Sequence, residues 1–236
     1  MQFSIESYKN LLELIIKENF AISTDLNVVT KEMLLRHDID FDLELAHQMA
    51  LIENSFGIKS VYLVMIQNPL YDMFSMQSIK CINKINSLGH EIGLHYDPSI
   101  STKYDFNDQF SKLDCMLGYE SKFYSHHQPT LYGFKNILDH GKKIDLNSLA
   151  SNFEYISDSC MKPRKDLFKV ICSQSKVHLL IHPEFWMLDS IDLHDFGSKL
   201  KNFKLNNMNE NVNSVISVMV TTLADRDKLD ARNSQL

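Results

Sequence analysis

Glycine and proline are scarce, with seven and five residues in a chain of 236. So few glycines leave no phosphate-cradling loop: neither GxGxxG nor GxxxxGK[ST] occurs, and GxSxG, the elbow of many serine hydrolases, is missing too. The four cysteines, Cys81, Cys115, Cys160 and Cys172, form no CxxC pair. That argues against a zinc ribbon and reads as free thiols in a reducing cytoplasm. None adjoins a histidine segment, so a cysteine nucleophile has no context. Apolar runs are short: the longest candidate, Val61-Tyr62-Leu63-Val64-Met65-Ile66, is strand-sized against the roughly 20 residues of a membrane span. The start, Met1-Gln2-Phe3-Ser4-Ile5-Glu6, lacks the basic region and apolar core of a secretory leader, which sets a cytoplasmic expectation. Basic excess is absent as well. A net charge of −6 argues against nucleic acid as the main partner, and Lys162-Pro163-Arg164-Lys165 reads as solvated loop.

What remains is ordinary globular composition, 44% apolar and 23% charged, in a length that suits one domain over 1–236. No repeat, low-complexity tract or interdomain linker interrupts it. Apolar residues recur at helical spacing over about 5–18, Leu43–Phe56, Met76–Leu88 and Phe106–Leu117, with Gly57, Gly89 and Gly118 placed to close three of these helices. Between them lie strand-like runs at Met33–Leu35, Val61–Ile66, Ile92–Leu94, Phe123-Tyr124, Tyr155-Ile156 and Val177–Ile181. Alternating strands and helices predict an α/β fold with a parallel sheet or barrel, whose active site lies at the C-terminal strand ends. The segment from about 190 is polar, with a helix expected over Val212–Leu223 and a fraying tail from Asp225.

Ionisable residues repeatedly follow the apolar runs. Leu34-Leu35 leads into Arg36-His37-Asp38-Ile39-Asp40, where alternate carboxylates can serve as base and metal ligand. Arg36 and His37 are taken as supporting groups, whereas Asp42 suits the cap of the next helix. His95 ends a second run and is a candidate ligand, because neutral imidazole is the commonest protein ligand for zinc. His90 fits a strand-entry turn at least as well as a site. His126 and His127 are adjacent, so at most one faces a pocket; His127 is preferred and His126 kept behind it, with Pro129 stiffening the turn. Asp158 is either an Asx turn or an orienting carboxylate. His182, between Ile181 and Pro183, can donate a proton to a leaving group. Phe185, Trp186 and Tyr96 are expected to wall a substrate pocket.

Taken in order, Arg36–Asp40, Gly89-His90-Glu91-Ile92-Gly93-Leu94-His95, Ser125-His126-His127-Gln128-Pro129, Tyr155–Ser159 and Leu180-Ile181-His182-Pro183 resemble five motifs of the polysaccharide deacetylase superfamily. These are the NodB-homology or carbohydrate esterase 4-like proteins, here in the RHDVD variant of bacterial surface-glycan gene clusters. The resemblance spans about residues 30–187. It implies a distorted (β/α)7 barrel and metal-assisted removal of an acyl group from an amino sugar, with a divalent ion, usually zinc. It further implies Asp38 as base, Asp40 and His95 as metal ligands and His182 as general acid. Two departures stand out. Ile39 separates aspartates that are usually adjacent, which leaves open which of Asp38 and Asp40 is the base. The usual HxxxH is broken because Ser99 stands four positions after His95, so a third ligand must come from His127 or, alternatively, Asp97.

The expectation is therefore a metal-dependent deacetylase acting on an N-acylated sugar for a surface polysaccharide. The alternatives are a metal-independent hydrolase of a non-sugar amide or ureide on the same fold, and an inactive member that binds a glycan or a protein.

Overall fold

The computed structural model describes residues 2–22, 31–98, 105–128, 143–148 and 153–233. Ser99 and Pro129 lie outside them. The chain divides into two compact units, Met1–Ile191 and Asp192–Leu236.

In the first unit, α1 (Ile5–Lys17) starts where the Ser4 hydroxyl accepts the Ser7 amide, and it buries Tyr8, Leu11, Leu12 and Ile15 along one stripe. Next come β1 (Ala21–Ile22), β2 (Glu32–Ile39), α2 (Leu43–Ser55), β3 (Val61–Val64), α3 (Met76–Ser87), β4 (Glu91–Tyr96), α4 (Asp105–Leu117), β5 (Phe123–His126) and β6 (Ile144–Asp145). The last elements are β7 (Glu154–Ser157), α5 (Leu167–Ser173), β8 (Lys176–Ile181) and α6 (Pro183–Met187). Asp42 does cap α2, accepting from the Glu44 and Leu45 amides. Gly57, Gly89 and Gly118 follow α2, α3 and α4 with φ of 71°, 89° and 76°, a conformation that only glycine adopts freely.

All pairings are parallel, in the order β6-β5-β4-β3-β2-β8-β7, and β1 joins the first two residues of β2. The sheet curls into the half-barrel of a distorted (β/α)7 barrel, so the fold expectation holds. Alternation sorts side chains onto its two faces. Leu34, Val61, Leu63, Phe123 and Leu146 fill the inside of the curl. Ile39, Tyr62, Val64, Ile92, Leu94 and Tyr96 pack outward with residues of α2, α3 and α4. Gly93 sits on the inner face, where a Cβ would lie 2.3 Å from the Phe123 carbonyl oxygen. The four cysteines are free, Cys81 buried and the other three exposed.

In the second unit, α7 (Leu193–Asn233) is one continuous helix, longer than the expected Val212–Leu223 and helical in the expected tail from Asp225 as far as Asn233. Among the described residues, no helix is long and apolar enough to cross a membrane.

Candidate metal centre and its flanking acid–base groups

Three strand ends meet at one point. Asp40 lies just beyond β2, His95 near the end of β4 and His127 just beyond β5. His95 Nε2 lies 3.0 Å from His127 Nδ1 and 3.3 Å from Asp40 Oδ1, and His127 Nδ1 lies 3.4 Å from the same oxygen. The edge of a tetrahedron with metal–ligand bonds of 2.0–2.1 Å is about 3.4 Å, so the three donors have the spacing of one face of a zinc-type site. Asp40 Oδ1 is buried and makes no well-formed hydrogen bond, despite two imidazole nitrogens beside it. An oxygen that converges with two ring nitrogens at 3.3 and 3.4 Å suits a cation between them. The residues present thus fit a divalent ion. Burial raises the Asp40 pKa, but the two imidazoles outweigh it and hold the group well below the ordinary carboxylate range.

The remaining nitrogen of His95, Nδ1, lies 2.6 Å from Ser125 Oγ, which is 3.5 Å from Asp38 Oδ1. Ser125 orients the ring so that Nε2 faces the centre, the usual arrangement behind a metal-binding histidine. Nothing in the sequence reading singled out Ser125; its place two residues before His127, on the same face of β5, was the available signal.

Asp38 is held by Arg36 through two hydrogen bonds, Nε to Oδ1 at 2.8 Å and Nη2 to Oδ2 at 2.6 Å. Both side chains are fully enclosed on the inner face, Arg36 at 1% and Asp38 at 3% exposure. Burial raises the Asp38 pKa, yet Arg36 and His95 overcome it and bring it to about 2. Arg36 therefore holds Asp38 in its ionised form.

On the other side, His182 Nδ1 lies 2.6 Å from Asp158 Oδ1, and its Nε2 lies 3.6 Å from Asp40 Oδ2. Burial lowers the imidazole pKa, but Asp158 and then Asp40 and Asp38 carry it up to about 10. Asp158 also accepts from the His182 amide at 3.0 Å and from the Trp186 indole at 2.8 Å. Its side chain thus faces His182 and Trp186 rather than closing an Asx turn.

Three expected positions give way. Trp186 is fully buried, so it cannot wall a pocket; its N–H holds Asp158 instead. Tyr96 points to the outer layer, 5.5 Å from Phe106 and 5.9 Å from His126. That same alternation turns His126 away from His127. His37 faces opposite to Asp38, with Nε2 2.7 Å from Glu53 Oε1 under α2. There Glu53 also accepts from Tyr8, Ser60 and Tyr62. His90 belongs to this outer layer, accepting from the Ser60 amide at 3.2 Å and lying 3.3 Å from the Ala50 carbonyl. Asp97 is not among the three converging ligands.

Glu184 was not singled out, because an acid in the first turn of a helix reads as a partner of the helix dipole. It is fully buried, and burial with the nearby Asp40 raises its pKa to about 8.

No family model matches the chain, and no curated protein matches it. Among solved structures it is similar to the chitin deacetylase of the fungal pathogen Colletotrichum lindemuthianum, at 12% identity over 78% of this chain and 86% of that one, TM-score 0.46. It is also similar to a putative polysaccharide deacetylase involved in O-antigen biosynthesis from Bordetella bronchiseptica, at 14% identity, 79% and 87% coverage and TM-score 0.45. A family 4 carbohydrate esterase from Bacillus anthracis matches at 12% identity, 89% and 90% coverage and TM-score 0.43. At such identities no residue role transfers by position, so the roles below rest on geometry.

Proposed function

We propose that this protein is a metal-dependent deacetylase that removes the acyl group from an N-acylated amino sugar, in the making of a bacterial surface polysaccharide. The observation that carries the reading is the Asp40–His95–His127 triangle, flanked by an Arg36-held carboxylate and an Asp158-held imidazole. Asp40, His95 and His127 would hold the ion, which supplies Lewis-acid polarisation of the acyl carbonyl and lowers the pKa of bound water from 15.7 to about 7.

Asp38 is assigned as the base and Asp40 as the ligand, because Arg36 occupies an edge of each Asp38 oxygen while Asp40 Oδ1 faces both imidazoles. Arg36 keeps Asp38 ionised at neutral pH but makes it a weak base. For a carboxylate near pKa 2, taking a proton from ordinary water costs about 19 kcal/mol, against about 7 kcal/mol from water acidified to pKa 7. That difference favours the metal-dependent reading over the metal-free one. His182 carries a proton at neutral pH, and Asp158 presents it from behind. It gives this proton to the departing sugar amine as the C–N bond breaks.

The test is elemental mass spectrometry of the purified protein beside Asp40→Ala and His95→Ala, with acetate release from a panel of N-acetylated sugars. About one ion per chain, lost in both variants, and acetate release abolished by chelator are expected. A metal-free protein after supplementation, or turnover insensitive to chelator, would overturn the reading.

A further inference from the structure

Asp40 has a structural problem that an ordinary strand residue does not. The β2 ladder ends with the pairing of Ile39 and Val64, so Asp40 stands one residue past the last strand contact. A metal ligand on a loop end needs other groups to fix it.

Those groups are present on both sides. The Ile39 carbonyl accepts from Tyr71 Oη and the Asp40 carbonyl from Asn68 Nδ2, each at 2.9 Å. Asn68 is itself set by the Leu70 amide at 2.7 Å, and Tyr71 Oη accepts from the Met65 amide at 2.9 Å. From the opposite side, one oxygen, Glu184 Oε1, accepts the amides of Phe41 at 3.0 Å and Asp42 at 2.9 Å. Three consecutive peptide groups, 39–40, 40–41 and 41–42, are thus pinned by side chains at four polar atoms. Glu184 does this from complete burial, and its other oxygen, Oε2, has no partner. It stands two residues after His182, so one side chain ties the ligand loop to the segment carrying the proposed acid.

We infer that Glu184 is a positioning residue, whose Oε1 clamps the 41–42 amides and thereby sets Asp40 in place for the metal. The inference rests on the metal-dependent reading, and its test separates the two. Zinc affinity would be measured by competition with a chromogenic chelator. Hydrogen exchange at the 41 and 42 amides would be followed on metal-free protein. Glu184→Ala removes the acceptor; Glu184→Gln keeps a carbonyl oxygen there. The alanine variant should bind zinc about tenfold or more weakly, by the usual cost of losing a group that orients a ligand. It should also exchange faster at 41–42, with the β2 amides still protected. The glutamine variant should stay within about threefold of the parent in both readouts.

If the alanine variant keeps parental affinity and exchange, the inference fails. It also fails if glutamine loses as much as alanine, since a carbonyl acceptor facing the 41–42 amides would then not be what sets Asp40. A parent that binds no zinc overturns the metal reading, and exchange at 41–42 then decides the clamp alone. Should the alanine variant not fold, Glu184→Asp, which withdraws the oxygen by one methylene, takes its place with the same expected direction.

Discussion

Gly93→Ala should damage this protein well beyond the addition of one methyl group. The new Cβ would lie 2.3 Å from the Phe123 carbonyl oxygen and 2.5 Å from Leu63 Cδ2. Carbon–oxygen contacts settle near 3.3–3.6 Å, so β4 and β5 must part by roughly 1 Å. Leu63 can rotate, but the backbone oxygen cannot. Separation by that much takes ladder hydrogen bonds out of their 2.7–3.2 Å range beside the Leu94–Tyr124 and His95–Ser125 pairs. Overpacking of about 1–3 kcal/mol and roughly two ladder bonds at about 1 kcal/mol each give a loss of about 3–5 kcal/mol. That is a large part of the 5–15 kcal/mol of a typical domain. Urea unfolding of parent and variant at pH 7 reads it directly. The same displacement pulls Ser125 and His127 away from His95, so zinc affinity should fall with stability. A loss under about 1 kcal/mol with an unchanged m-value would refute the argument, because the sheet would then have absorbed the methyl group elsewhere.

Other perturbations test the flanking groups. Ser125→Ala leaves the His95 ring without its orienting partner and should weaken zinc binding about 10–100-fold in a chelator competition, while a parental affinity would remove Ser125 from the site. Arg36→Met strands the Asp38 carboxylate in the barrel and should destabilise by about 3–5 kcal/mol in urea; a smaller cost would mean that Asp38 is solvated or otherwise paired. Asp158→Asn removes the strongest influence holding His182 near pKa 10, so an NMR titration of that imidazole on metal-free protein should move its midpoint down by more than one unit. An unmoved midpoint would assign the shift elsewhere. Asp38 and Glu53 both titrate near 2 when folded, below their ordinary values of 3.8 and 4.5, so the unfolded chain takes up protons first as the pH falls. Their stabilisation is complete above pH 4.5 and should drain away between about pH 4.5 and 2, which urea midpoints at stepped pH would show; flat midpoints across that window would contradict it.

The barrel and its main strands were legible because buried parallel strands read as apolar runs, each followed here by ionisable residues. Two-residue strands leave no periodicity, and so Ala21–Ile22 and Ile144–Asp145 escaped. The long helix from Leu193 was read only at its apolar stretch, because a mixed polar face carries little periodic signal. Within the site, alternation decides much. It puts Arg36 with Asp38 and Ser125 with His127, and it separates His37 from both. Clustering of charges in sequence groups His37 with Arg36 and Asp38, whereas the direction each side chain takes sets it apart. The roles of Trp186 and Glu184 were beyond reach, since their partners Asp158 and Phe41–Asp42 lie 28 and more than 140 residues away.

Strand β2 carries a buried polar pair on each of its faces, the Arg36–Asp38 ion pair inside the curl and the His37–Glu53 hydrogen bond beneath α2. A one-residue slip of β2 against β3 and β8 would turn every side chain to the opposite face. Arg36 and Asp38 would enter a compartment whose acceptors already serve Tyr8, Ser60 and Tyr62, and Glu53 would lose its imidazole. An apolar strand could slip by repacking, at modest loss. This one would strand buried charges on both sides at once, at several kcal/mol each. The two pairs therefore act as a lock on strand alignment, and the chain can place Asp40 opposite His95 and His127 only when both bolts are home.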